Sequence, residues 1–313
     1  MNPRRIEFGV YLPQLRLDFR TLRERVQCAE ALGYDTAWFY DHLHPPGTPD
    51  VPGFEGWTLV SALAPLTERI RLGQLVLCNG FRHPALLAQM AITLDVISGG
   101  RLELGLGTGS YLAEFEQFGL PCPDLATRSE QLDEALAVIA LLCSQRRASF
   151  EGKHYRLRDA PSALSPVQKP HPRITIGGGG ERRTLPLVAR HADVWNCPTY
   201  SLALIERKRD AMLRECEKQG RDPATLVFGQ QAVVVLVERE SELEAAMRIA
   251  RRRFGAEQWG LDAGGFVGTA PRVIEQIQAK VALGFTQFAL FFHDRGERET
   301  LDRFARDVAP AFH

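Results

Sequence analysis

Short apolar segments with the composition of β-strands alternate with longer helical patterns along almost the whole chain of 313 residues. Most of these segments are largely apolar, which is typical of parallel strands whose outer face is covered by helices. The eight strand segments are Glu7–Leu12, Thr36–Tyr40, Arg71–Leu77, Leu102–Leu106, Arg173–Ile176, Asp193–Trp195, Val227–Leu236 and Thr286–Phe292. This alternation constrains the fold more than any other feature of the chain, because it predicts one parallel sheet built from strand–helix units.

Helical patterns lie between the strands, at residues 18–32, 57–67, 84–97, 126–144, 181–191, 202–219, 241–256 and 271–283. Gly33 and Gly284 follow two of these patterns at the C′ position, where a glycine commonly ends a helix. Pro84 suits the first turn of a third helix, where its missing N–H costs nothing. Eight strand–helix units favour a closed barrel over an open sheet, so we predict a single (β/α)8 TIM barrel domain over residues 1–313.

One segment, at about residues 148–172, breaks this rhythm and is predicted to be an insertion. Phe150–Ala160 has the pattern of a small β-hairpin that turns at Glu151–Lys153. Pro161–Pro172 contains four prolines and is predicted to be irregular.

The charges are balanced, with 38 Lys+Arg against 38 Asp+Glu. A protein that binds mainly nucleic acid or an anionic membrane surface usually has a basic excess, so we expect neither partner.

No stretch reaches the roughly 18 apolar residues of a membrane-spanning helix, and the amino terminus has no signal-peptide pattern. The six cysteines form no C-x-x-C pair, so neither a metal site nor a disulfide framework is predicted. We therefore expect a reduced, cytoplasmic protein.

Asp41 and His42 directly follow the second predicted strand. The carboxyl ends of the strands form the working face of an α/β barrel, so these two side chains are expected at its mouth. An imidazole can accept or donate a proton near neutral pH, and a carboxylate can orient it. The spacing alone fits equally well a pair that only caps the following loop.

Two glycine-rich runs follow later strands. In Gly105–Ser110 (GLGTGS), the repeated glycines let the backbone approach a planar ligand or a phosphate closely. Gly177–Gly180 stand between a strand and a helix, where consecutive free N–H groups form an anion site. A simple turn needs only one glycine, so we predict that this run binds phosphate. The run is not a Rossmann fingerprint, because G-x-G-x-x-G is absent.

Several stretches resemble the luciferase-like monooxygenase family of flavin and deazaflavin barrels. The strongest is Thr93–Leu102 (TLDVISGGRL), which runs on to Gly105–Gly109. Further matching stretches are Phe39–His42, Arg71–Gly73, Arg82–Ala88, Phe150–Tyr155, Pro166–Pro170, Ile176–Gly180, Ala192–Asp193 and Trp195–Asn196. The resemblance covers nearly the whole chain in the same order.

Asp41-His42 is similar to the pair found in the family members that use coenzyme F420, in which the histidine lies near the redox-active ring. The resemblance implies that His42 transfers a proton and that Asp41 orients it. It also implies a non-prolyl cis peptide at Leu75–Val76, behind the ring. The implied cofactor-binding residues are Leu75, Val76, Gly107, Thr108, Gly109, Ser110, Gly177, Gly178, Gly179 and Gly180.

Ser110 departs from the family pattern. Sugar-phosphate dehydrogenases of this fold that use the deazaflavin carry a glutamate directly after Gly-Thr-Gly, where it acts as an acid. The serine predicts a substrate other than a sugar phosphate, and it leaves the second proton-transfer group open.

The leading hypothesis is an F420-dependent oxidoreductase that moves a hydride to or from a small organic substrate. One alternative is an FMN-dependent monooxygenase that uses O2 and reduced flavin from a separate flavin reductase. A second alternative is a non-catalytic flavin-binding protein. The resemblance also implies a homodimer, which fits the apolar runs Leu59–Leu66 and Ala85–Ile97.

Overall fold

A computed structural model describes residues 5–198, 202–254, 261 and 264–312. Its strands are β1 (Glu7–Tyr11), β2 (Thr36–Phe39), β3 (Arg71–Cys78), β4 (Leu102–Gly107), β5 (Arg147–Glu151), β6 (Arg156–Pro161), β7 (Arg173–Gly177), β8 (Val194–Cys197), β9 (Val227–Leu236), β10 (Phe266–Gly268) and β11 (Phe285–Phe292). Its α-helices are α1 (Phe19–Ala31), α2 (Gly56–Leu63), α3 (Pro84–Ile97), α4 (Leu112–Gln117), α5 (Leu125–Ser144), α6 (Thr184–His191), α7 (Leu202–Lys218), α8 (Leu243–Phe254), α9 (Ala270–Val281) and α10 (Arg298–Asp307).

Eight parallel strands close into a barrel in the order β1-β2-β3-β4-β7-β8-β9-β11, and β11 pairs with β1 to complete the ring. The short strand β10 pairs with β9 outside this ring. The predicted (β/α)8 barrel is confirmed, and each predicted strand lies within two residues of its observed limits. The hairpin is also confirmed, as the antiparallel pair β5–β6 between α5 and β7.

The helix ends follow from local chemistry. Gly33 and Gly284 adopt φ of +87° and +90°, a conformation that glycine adopts without steric cost, so both end helices as predicted. Pro84 begins α3 at its first position. The second helix ends at Leu63 rather than at residue 67, and a 3-10 turn that contains Pro65 follows it.

Three elements were not predicted, namely α4, α10 and β10. Helix α4 has six residues and β10 has three, which is too short for a periodic pattern to stand out. Helix α10 is rich in charge and buries only Thr300, Leu301 and Phe304. The predicted helix at 241–256 ends at Phe254 as described, and residues 255–256 lie outside the described part of the chain.

A buried ionic network closes the amino-terminal end of the barrel. The carboxylate of Glu103 is fully buried and accepts hydrogen bonds from Arg71 and Arg173. Arg173 also pairs with Glu7, at 2.9 Å between Nη1 and Oε2. Burial raises the pKa of Glu103, and the two guanidinium groups act against that rise. Because this end is filled, the barrel offers space for a ligand at its other end.

Among the described residues, no helix is both long enough and apolar enough to cross a membrane.

Candidate active site

A cavity of about 310 Å³ lies at the carboxyl ends of the barrel strands. Its lining includes ten of the twelve predicted site residues: Asp41, His42, Leu75, Val76, Gly107, Thr108, Gly109, Ser110, Gly177 and Gly178. Gly180 lines a neighbouring cavity of about 280 Å³, which shares Thr108 and Gly177 with the first. The structure therefore brings the strand-end pair and both glycine runs, which are far apart in the sequence, to one place.

His42 is held by a carboxylate that the sequence did not single out. Its Nδ1 lies 2.8 Å from Oε2 of Glu114, whose side chain is 1% exposed. The other oxygen of Glu114 accepts hydrogen bonds from the N–H groups of Leu43 and His44. Burial alone would raise the pKa of Glu114, but the bonds and charge from His42 and these two amides outweigh it and lower the pKa. Glu114 is thus ionised near neutral pH.

Asp41 has a different role from the predicted one. Its carboxylate accepts two hydrogen bonds from Arg82, both at 2.8 Å, and a third from the N–H of Cys78. Arg82 also pairs with Glu55 at 2.6 Å. Asp41 makes no hydrogen bond with His42 in the described part of the chain, so the predicted orienting role has no contact behind it; the carboxylate binds Arg82 and the N–H of Cys78 instead.

Val76 forms one wall of the cavity where β3, β4 and β7 meet. The Leu75–Val76 peptide bond is cis, as the resemblance implied. A Cβ atom at Gly107 would lie 2.7 Å from Cγ2 of Val76, and one at Gly177 would lie 3.1 Å from Cγ1. A side chain at Gly107 would collide with Val76, and one at Gly177 would crowd it, so both strands approach Val76 as bare backbone. The part of the cavity that lies along Val76 and these glycines is called the slot below.

The run Gly177–Gly180 departs in part from the prediction. The N–H of Gly178 donates to the carbonyl of Asn196, at 3.0 Å, and so is not free. Helix α6 begins at Thr184 rather than at residue 181. The N–H of Thr184 donates to the carbonyl of Gly180 at 2.8 Å, and this bond closes a turn just before the helix. Among the described residues, the N–H groups from Gly179 to Arg183 have no backbone acceptor, and they remain available to an anion.

Polar groups that the sequence analysis did not assign to a site complete the lining. Asn196 and Gln231 meet there, with 3.3 Å between Nδ2 and Oε1. The hydroxyl of Tyr40, another lining residue, is buried and has no hydrogen-bond partner among the described residues. Trp195, the neighbour of Asn196 in the chain, is fully buried and packs in the core.

Three further titratable groups of the lining, Cys78, Tyr11 and Tyr40, are neutral near neutral pH. Burial raises the pKa of the Cys78 thiol to about 12. Burial also raises the pKa of Tyr11 and Tyr40 above their ordinary value. No cluster of His, Cys, Asp and Glu within the described parts of the chain could hold a metal ion.

The site fits a planar cofactor with an anionic extension. A slot bounded by Val76 and glycines suits a flat ring, and free amides beside it suit a phosphate. Arg128 holds the intervening loop by donating to the carbonyl of Gly109, at 2.7 Å. Apolar walls with a few convergent polar groups are the usual make-up of a cofactor site.

A (β/α)8 barrel with a histidine–carboxylate pair and a glycine-walled cavity at the carboxyl ends of its strands has the architecture of a barrel enzyme. A family model described as luciferase-like monooxygenase matches residues 6–287. The chain belongs to the luciferase-like monooxygenase family, as its resemblance implied.

Similar proteins include dehydrogenases and reductases. The F420-dependent glucose-6-phosphate dehydrogenase of Intrasporangium calvum is 29% identical, and the match covers 93% of this chain and 94% of that protein. An F420-dependent secondary alcohol dehydrogenase in complex with an F420-acetone adduct has the same fold, with a TM-score of 0.83 and 18% identity over 99% of this chain and 100% of that one. The coenzyme F420 dependent tetrahydromethanopterin reductase from Methanopyrus kandleri gives a TM-score of 0.81 and 19% identity, over 99% and 100% of the two chains.

Proposed function

We propose that this protein is an oxidoreductase that uses coenzyme F420 and moves a hydride to or from a small organic substrate. One observation carries the proposal: a histidine held by a buried carboxylate shares a cavity with a glycine-walled slot. The name of the similar dehydrogenase from Intrasporangium calvum supports F420 as the cofactor.

The residues present fit such a cofactor. Val76, Gly107 and Gly177 would contact its ring, and the amides that follow Gly178 would bind its phosphate. When bound, the deazaflavin ring supplies a position that accepts or gives a hydride. Everything else that the reaction needs, including orientation and proton transfer, has to come from the protein and the substrate.

His42 is the proposed proton-transfer group. Its Nδ1 is engaged by Glu114, so Nε2 is the atom that remains to exchange a proton with the substrate. Asp41 acts on the site indirectly, because its carboxylate binds Arg82 and the N–H of Cys78, which lines the cavity. Ser110 lines the same cavity and contributes a hydroxyl, which cannot act as an acid at neutral pH.

We propose a substrate other than a sugar phosphate, although the dehydrogenase from Intrasporangium calvum is named for one. Aromatic side chains surround the cavity, namely Tyr11, Tyr40, Phe81, Tyr111 and Phe291. Such walls favour a compact, partly apolar molecule over a heavily hydrated one. Glucose 6-phosphate is the reference compound against which alcohols and ketones of similar size should be compared.

Cofactor binding is the first test. We expect F420 to bind more tightly than FMN in a fluorescence titration, and the protein to leave the spontaneous oxidation of reduced FMN by oxygen unchanged. Tight FMN binding with oxygen uptake that depends on an organic substrate would instead favour the monooxygenase alternative. Binding of either cofactor with no turnover on any alcohol or ketone would favour a non-catalytic flavin-binding protein.

The second test separates catalysis from binding. His42→Ala should lower kcat by about 10²–10⁴-fold, because a positioned acid or base contributes that much. The dissociation constant of F420 should change by less than about tenfold, because backbone and ring contacts carry most of the affinity. His44→Ala is the matched control, since His44 lies two residues further on and bonds Gln117 instead. Near-full turnover in His42→Ala would remove the proton-transfer role.

A further inference from the structure

Glu114 receives three hydrogen bonds from the loop that follows β2. Two come from the N–H groups of Leu43 and His44, and the third joins its Oε2 to Nδ1 of His42 at 2.8 Å. Its side chain is 1% exposed, so water does not compete for these bonds. Both carboxylate oxygens are therefore committed to residues 42–44.

The fold holds Glu114 firmly in this position. Its neighbour Phe115 is buried and packs against Phe81, with 5.3 Å between ring centroids. The guanidinium of Arg128 lies over the same ring, 5.9 Å from its centroid. Helix α4 is thereby fixed to the cavity wall, and Glu114 cannot move away from His42 without breaking this packing.

Glu114 does not replace the acid that is missing at Ser110. Its pKa is lowered, because the contacts with His42 and the two amides outweigh the effect of burial. A carboxylate that stays ionised and whose oxygens both accept hydrogen bonds has no proton to donate. Its chemical effect must therefore act through the imidazole.

We infer that Glu114 is a positioning residue that holds the neutral ring of His42 as the Nδ1–H tautomer, with the Nε2 lone pair free to act in the cavity. An ionised carboxylate can only accept a hydrogen bond, so the ring nitrogen that faces it must carry the proton. Nε2 is then a base. When it takes a hydroxyl proton from the substrate, the O–H bond breaks, an N–H bond forms, and the resulting imidazolium lies against the carboxylate. This inference rests on the proposed function only for the identity of the proton donor.

The other groups around His42 do not determine its tautomer. The rings of Tyr40 and Tyr111 pack beside the imidazole, but the hydroxyl of Tyr40 has no hydrogen-bond partner among the described residues, and that of Tyr111 accepts from the N–H of Gly47 at 3.5 Å. Asp41 is engaged by Arg82. Glu114 is thus the charged partner that faces Nδ1.

The test is a measurement of the tautomer by nuclear magnetic resonance, with 15N-labelled histidine in the full chain without cofactor. His42→Ala identifies the His42 signals among those of the eight histidines. At a pH where the ring is neutral, the unsubstituted protein should show a proton on Nδ1 and none on Nε2. Glu114→Gln should move the proton to Nε2, because the amide N–H of glutamine can donate to Nδ1.

Glu116→Gln is the matched control, since Glu116 lies on the same helix and is exposed. It should leave the His42 signals unchanged. Glu114→Asp keeps the charge and should retain the Nδ1–H tautomer. A neutral His42 protonated at Nε2 in the unsubstituted protein would overturn the inference. An unchanged tautomer in folded Glu114→Gln would overturn it too. If Glu114→Gln does not fold, the unsubstituted protein and Glu114→Asp decide the question.

Kinetics gives a second readout once a substrate is known. Glu114→Gln should lower kcat by on the order of 10²-fold or more, as expected for a base held in the wrong tautomer. KM should stay within about threefold, because Glu114 makes no proposed contact with the substrate, and Glu114→Asp should recover part of the rate. A larger effect on KM than on kcat would contradict the inference. If F420 does not bind, the proposed function fails, while the tautomer measurement still decides the role of Glu114.

Discussion

At the scale of single residues, the adjacent residues Asp41 and His42 have different partners and different roles. His42 faces the cavity and pairs with Glu114, whereas Asp41 binds Arg82 and the amide of Cys78. The side chain of Asp41 is 2% exposed and that of Arg82 is 12% exposed, so this ion pair is shielded from water. Shielded pairs depend strongly on both partners, because loss of one leaves the other charge uncompensated.

We therefore expect Asp41→Asn to act mainly on stability. The amide keeps the shape of the side chain but loses the buried charge that Arg82 pairs with, and it leaves Arg82 with Glu55, whose side chain is 39% exposed. The free energy of unfolding should fall by about 2–4 kcal/mol, as judged by urea denaturation followed by circular dichroism. Asp159→Asn is the control, because Asp159 pairs with Arg147 at the surface and is 70% exposed. That variant should leave the urea midpoint nearly unchanged.

The opposite pattern would restore the sequence-based role of Asp41. If Asp41→Asn kept the stability of the unsubstituted protein but lost turnover to the same degree as His42→Ala, Asp41 would have to act on the chemistry directly. Its contacts with Arg82 and Cys78 would then be incidental.

At the scale of secondary structure elements, the site depends on how closely three strands approach each other. Val76 on β3 lies over Gly105 and Gly107 of β4 and over Gly177 of β7. Because valine is β-branched, its side chain has few allowed χ1 rotamers, so its methyl groups cannot rotate away from a larger residue at a neighbouring position. The glycines are therefore required by packing as well as by a ligand.

This packing predicts a compensating pair of substitutions. Gly107→Ala should destabilise the fold by about 1–3 kcal/mol, because the new Cβ would lie 2.7 Å from Cγ2 of Val76. Adding Val76→Ala should restore much of that loss, since it removes the methyl group that collides. Thermal unfolding of the two single variants and the double variant measures the coupling. Strictly additive effects would show that Val76 is not what excludes a side chain at Gly107.

At the scale of the whole molecule, helix α3 exposes several large apolar side chains to solvent. Leu86 and Ile97 on α3 are each 57% exposed, and Val96 is 40% exposed. The opposite side of α3 is buried against the barrel. Exposed apolar patches of this kind usually mark an interface. We propose that α3 contributes to a homodimer, as the resemblance and the apolar run Ala85–Ile97 implied.

Light scattering at micromolar concentration should accordingly give twice the mass of one chain. The double variant Leu86→Glu with Ile97→Glu should give the mass of a single chain and keep its circular dichroism, because both side chains lie at the surface. Ile249→Glu is the control, since Ile249 is 55% exposed on α8, far around the barrel from α3. A monomer in the unsubstituted protein would refute the proposal.

The sequence by itself determined the barrel and the order of its elements. Each strand is a short apolar run and each long helix has its own periodic pattern, so these elements can be recognised one segment at a time. The glycines of Gly105–Ser110 and Gly177–Gly180 could be found for the same reason, because a local run needs no partner to be noticed. Elements too short for a pattern, such as α4, were missed.

Only the tertiary structure decided which side chains work together. His42 and Glu114 are 72 positions apart, and Asp41 and Arg82 are 41 apart. These bonds depend on how the fold brings a loop and a helix from distant parts of the chain together, and spacing along the chain does not encode that placement. That is why the adjacent pair Asp41-His42 suggested a partnership that the folded protein does not form. The partner of His42 comes instead from a six-residue helix beyond the next glycine run.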